Sequence, residues 1–131
     1  MAWLGAFVLT QLVEAPLYAW CLRRWSTSPT SERVVLALLP SALTHPLLWL
    51  GFPTLREHLS YGAAVGLAET LVVVVEALAI VPFLDAAPGS RRVGRVALAS
   101  GAAVVAFGAA VVANALSVAV GFASRALFDW P

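Results

Sequence analysis

The run from Tyr61 to Leu84 is apolar except for Glu69, Thr70 and Glu76. A segment of that length crosses a bilayer as a helix, because backbone groups inside hydrocarbon must bond within their own segment. Seven residues separate the two carboxylates, which puts them on one helix face, about 10 Å apart along the axis. Carboxylates at that depth are costly, so a functional site is the default expectation for them.

Three further apolar runs accompany this one, and the sequence predicts spans at residues 2–22, 34–52, 61–84 and 95–122. A chain of 131 residues that is 61% hydrophobic and 11% charged is outside the usual range of water-soluble domains. The expected fold is an all-α, integral-membrane four-helix bundle, one domain over residues 1–131 with the lipid bilayer as its surroundings. The eight basic residues are all arginines, scattered over the connections with no basic stripe, which argues against nucleic acid as a partner. A single cysteine, Cys21, excludes an intrachain disulfide and a multi-cysteine metal site. At the N-terminus, Arg23 and Arg24 follow the apolar run instead of preceding it, so this run reads as a retained first span and not as a signal peptide.

Each span carries polar residues. Gln11, Glu14 and Tyr18 form a stripe in the first, flanked by Thr10 and Cys21, with Pro16 placing a kink near Glu14. The connector from Ser26 to Glu32 holds good capping residues for the second span. In that span Ser41, His45 and Trp49 share a face beside Thr44, bracketed by Pro40 and Pro46. A short loop is expected from Pro53 to Ser60 and a second from Asp85 to Gly94. Gly62 and Gly66 in the third span, and Ala106, Ala110, Asn114, Ser117 and Gly121 in the fourth, provide faces that another backbone can approach closely.

Six of the eight arginines (Arg23, Arg24, Arg33, Arg91, Arg92 and Arg95) fall in the first and third connections. The excess of positive charge on the cytoplasmic side then predicts that both termini lie outside the cytoplasm. Depth counted at about 1.5 Å per residue from the outer span ends puts His45, Glu69 and Asn114 near 12 Å, Glu14 near 18 Å and Glu76 near 22 Å. Two layers are expected, converging on one buried pocket.

Three carboxylates, an imidazole and an amide suit a divalent metal held by His45, Glu69, Glu76 and Glu14, with Asn114, Ser117, Tyr18, Gln11, Thr44 and Ser41 in support. The same groups suit proton transfer. A glutamate acting as general base on a metal-bound water would instead make the site an intramembrane hydrolase. No hydrolase, phosphate-binding or zinc-protease motif is present, so no catalytic residue is assigned and a non-enzymatic role is favoured. Each group also has a structural reading. Protonated glutamates hold helices together, His45 can satisfy a carbonyl freed by proline, and Asn114 with Ser117 sits on a packing face.

Leu12-Val13-Glu14-Ala15-Pro16, Thr44-His45-Pro46-Leu47-Leu48-Trp49, the Glu69 to Glu76 segment and Ala113-Asn114-Ala115-Leu116-Ser117 together resemble a group of small bacterial four-span membrane proteins with no assigned activity. That resemblance implies a bacterial inner-membrane protein and no particular substrate. The glutamate-dependent proteases of the CAAX-processing type also use buried Glu, His and Asn. They require an adjacent Glu-Glu pair and two membrane-embedded histidines, whereas here Glu69 and Glu76 are separated and His45 stands alone within a span. The function expected is therefore cation binding or proton shuttling, in transport or as a subunit of a membrane complex. The alternatives are the hydrolase and a structural or assembly subunit. A bundle this small is expected to work as a homo-oligomer or with other membrane subunits, the small-residue face of span four being the candidate contact.

Overall fold

A computed structural model describes residues 2–84 and 95–128. Four helices account for nearly all of them: α1 (Ala2–Trp25), α2 (Thr30–His58), α3 (Tyr61–Ile80) and α4 (Arg95–Phe128). All four contain stretches long and apolar enough to cross a membrane. The connection Asp85–Gly94, with Arg91 and Arg92, lies outside the described residues, as do the side chains of Arg95 and Arg125.

Each helix packs on its chain neighbours, and α4 closes the ring against α1. The α1–α2 turn sits at one end of the bundle, and the α2–α3 turn sits at the other with the start of α1. Leu12, Trp20, Leu47, Leu50 and Val104 are between 67 and 76% exposed on the outer faces. A water-soluble bundle would bury side chains of this kind, whereas lipid tails solvate them at no cost.

Several helix ends depart from the sequence expectation. Helix α2 continues through Pro53 to His58, so the loop expected from Pro53 shrinks to Leu59 and Ser60. A proline costs its helix one backbone bond without forbidding the turns that follow. Leu59 N–H closes the last turn on Leu55 O at 2.9 Å, and Ser60 Oγ caps α3 by accepting from Ala63 N–H at 3.4 Å. At the start of α2 the expected side-chain cap is not formed. Pro29 occupies the capping position, and the nearby Ser26 Oγ accepts from Ser28 N–H instead. The α3 helix ends at Ile80 in a short 3-10 turn over Val81–Phe83, because Pro82 has no N–H to continue it. At its far end α4 runs to Phe128, six residues past the span end expected at 122.

The apolar core is concentrated in one half of the bundle. It joins Tyr18, Cys21 and Leu22 of α1 with Leu36 and Ala37 of α2, then Ala77, Ile80 and Leu84, and the alanines at 102, 106, 110 and 113 of α4. Every member lies toward the α1–α2 turn from the level of Glu76. The small-residue face of α4 is thus used inside the bundle: Ala106 and Ala110 are fully buried and Asn114 nearly so. At the end of the same face Gly121 has open space, with no atom within 4 Å of an added Cβ. Gly62 and Gly66 likewise face outward, and an added Cβ would meet no atom within 4 Å.

Candidate functional site: a carboxylate hub in the bundle core

Glu76 is fully buried, and each of the other three helices sends it a hydrogen bond. Tyr18 Oη of α1 donates to Oε2 at 2.6 Å. Asn114 Nδ2 of α4 donates to the same oxygen at 2.7 Å, and the Asn114 amide group is also 2.9 Å from Ala110 O. From α2, the Thr44 hydroxyl stands 2.8 Å from Oε1 and 3.1 Å from Pro40 O. It has a single proton and can serve only one of these acceptors at a time.

Both protonation states of Glu76 are therefore satisfied without movement. When it is ionised, Thr44 donates to Oε1 and the carboxylate accepts three bonds. When it is protonated on Oε1, that proton goes to Thr44 Oγ1, which donates in turn to Pro40 O. A second pair sits at the same level: Ser41 Oγ donates to Glu14 Oε2, and both side chains are buried.

Beside these groups lies a cavity of about 170 Å³ whose remaining lining residues fall on the α2–α3 side of them. Glu14, Thr44, Glu76 and Asn114 form its floor, and Thr10, His45, Glu69 and Ser117 line its sides, with Leu48, Val72 and Val118 as the apolar wall. That volume has room for several waters, and its polar lining would bind them. Across the α1–α4 seam, Ser117 Oγ donates to Thr10 Oγ1 at 3.3 Å. The imidazole of His45 packs against Phe7 and Trp3, with ring centroids 5.4 and 6.5 Å away, while its buried Nε2 has no hydrogen-bond partner among the described residues. Glu69 is half-buried on the cavity side.

Three expectations change in light of this geometry. Asn114 does not belong to an outer layer apart from Glu76; it is bonded to it. Counted from Phe128, its depth becomes about 21 Å, level with Glu76. Gln11 shares the helical stripe of Glu14 and Tyr18 yet lies outside the cavity, on the α1–α2 seam, where its amide donates to Leu38 O at 3.2 Å. His45, Glu69, Glu76 and Glu14, the expected metal set, all line this one cavity, yet among the described residues no three His, Cys, Asp or Glu side chains come close enough to form a ligand group. Glu76 and Glu14 are instead turned toward hydroxyl and amide donors, which is how a carboxylate is satisfied without a cation.

Thr10, expected only at the flank of the α1 stripe, and Trp3 and Phe7, outside the expected site, also belong to the observed one. A signal for them was available, since Trp3, Phe7, Thr10 and Glu14 follow one another at i, i+4, i+7 and i+11 on a single face of α1. Comparisons with protein-family models, curated proteins and solved structures each find no match.

Proposed function

We propose that the chain is a bacterial inner-membrane protein whose Glu76-centred cluster takes up and releases protons, serving a transport step or a larger membrane complex. The observation that carries this reading is the Thr44 hydroxyl placed between Glu76 Oε1 and Pro40 O, which lets the carboxyl gain or lose a proton without leaving a polar group unmatched. Structural glue requires one bonding pattern; a proton site requires two of similar energy. The neighbouring cavity, with Glu69 and with His45 Nε2, which has no partner among the described residues, offers a route by which water can deliver the proton. The arginine bias places the α1–α2 and α3–α4 connections in the cytoplasm in this reading, and the resemblance to small bacterial four-span proteins agrees with it. At this size the bundle would act with further copies or other subunits.

Infrared difference spectroscopy of the protein in nanodiscs, stepped in pH, tests the proposal. The wild type should show a buried carboxyl C=O band that appears and disappears with pH, and Glu76→Gln should lack it. A spectrum with no titrating buried carboxyl, or one unchanged by Glu76→Gln, would refute proton binding at this site. Flux into vesicles carrying a pH dye then separates transport from a static proton site.

A further inference from the structure

On the opposite side of α1 from the carboxylate cluster, the crevice between α1 and α2 has a distinct character at each depth. Near the α1–α2 turn, Arg23, Thr30 and Arg33 surround a cavity of about 320 Å³ whose floor is Ala19 and Val34. Arg33 Nη2 donates to Thr30 Oγ1 at 3.1 Å, while its buried Nε has no partner among the described residues. Pro29 caps α2 without a side-chain hydrogen bond, so the first amides of the helix face this region uncapped. Ala19 and Val34 are also the upper edge of a second cavity, a groove of about 460 Å³ that continues along the α1–α2 seam past Pro16, Ala15 and Leu12 to Phe7, with Gln11 as the one polar side chain on its otherwise apolar lining. Its breadth comes from Ala15, Ala19 and Ala37, which leave space where larger side chains would close the seam.

We infer that this crevice binds one anionic phospholipid, with its phosphate on Arg23 and Arg33 and an acyl chain in the groove beneath. Two guanidinium groups, one carrying an unused buried N–H, match the several acceptor oxygens of a phosphate. The position at the helix ends is where a headgroup lies, beside the interfacial pair in which Arg24 stacks 5.5 Å over the Trp25 ring. An apolar groove directly continuous with the basic pocket is what distinguishes a lipid from a free phosphate. The residues involved are separate from the carboxylate cavity, so the inference stands or falls independently of the proton reading.

Native mass spectrometry of delipidated protein, titrated with phosphatidylglycerol or phosphatidylcholine, tests it. One phosphatidylglycerol should bind in preference to phosphatidylcholine. Arg23→Gln and Arg33→Gln should each weaken it about fivefold, and the pair about thirtyfold. Arg24→Gln, at the same membrane face but outside the pocket, should change binding by less than about twofold, while Ala15→Phe should weaken it with every charge intact. Equal losses for Arg24→Gln and Arg33→Gln would mean general surface charge and overturn the site. Equal binding of phosphatidylcholine would overturn the role of the arginines. Displacement of the lipid by inorganic phosphate at matched concentration, or indifference to Ala15→Phe, would overturn the acyl groove.

Discussion

Glutamine at position 76 differs from a protonated glutamic acid only in carrying N–H groups in place of the O–H, and its surroundings suit that exchange. Its amide can donate to Thr44 Oγ1, which passes its own proton to Pro40 O, while its carbonyl accepts from Tyr18 and Asn114. Glu76→Gln should therefore stay within about 1 kcal/mol of the wild type in a detergent-unfolding titration while losing every pH-dependent signal of the site. Glu76→Ala is different. It opens a void and leaves the fully buried Tyr18 hydroxyl without its acceptor, a loss of about 2–4 kcal/mol. Tyr18→Phe removes one donor and keeps the ring, so about 1 kcal/mol is expected from the same titration. If Gln and Ala destabilise equally, the bonding pattern around Glu76 is not the one described.

At the scale of helices, the alanines of α4 make the bundle narrow. Ala106 and Ala110 have no exposed surface, so a larger side chain must displace α1 or α3. Ala110→Leu should cost about 1–3 kcal/mol, whereas Gly66→Leu, with open space around the glycine, should leave monomer stability unchanged. Loss of an oligomer on Gly66→Leu, read by light scattering, would identify the outward face of α3 as a contact between chains. Periodicity in the sequence gives the faces and not their partners, so it could not tell that Ala106 and Ala110 on the small-residue face of α4 pack within the bundle. Apolar stripes are little guide in lipid, since both the core and the outer surface are apolar. Polar groups within the spans are the better markers: Glu14, His45, Glu69, Glu76 and Asn114, one or two per helix, all line one cavity. Depth counting failed only where a helix end was misplaced. The six extra residues of α4 moved Asn114 from the level of Glu69 to that of Glu76. Gln11 shows the other limit, since a stripe on a helix is wide enough to face two seams at once.

Taken as a whole, the molecule is divided across its length. Among the described residues, the core of the half toward the α1–α2 turn is filled by side chains from all four helices, from Tyr18 and Leu22 through Leu36 and Ile80 to Ala106. In the other half, the cavity beside Glu14 and Glu76 is walled by Thr10, His45, Glu69 and Ser117. Among the described residues the polar lining leads to the carboxylates from the α2–α3 end, so water and protons should reach them from that side. Protons crossing to the opposite side would require the apolar half to open, which makes a passive leak slow and any transport dependent on a conformational change. Thiol labelling measures this directly. Cys21 is the one cysteine of the chain and is buried, so Cys21→Ser gives a clean background. In it, Leu48→Cys and Val118→Cys on the cavity wall should react with a small membrane-impermeant thiol reagent added at the α2–α3 end, while Ala106→Cys and Ala110→Cys, both fully buried, should resist it from both ends. Reaction at Ala106→Cys or Ala110→Cys from the α1–α2 end would show that the apolar half admits water, and the carboxylate cluster would then sit within a continuous path.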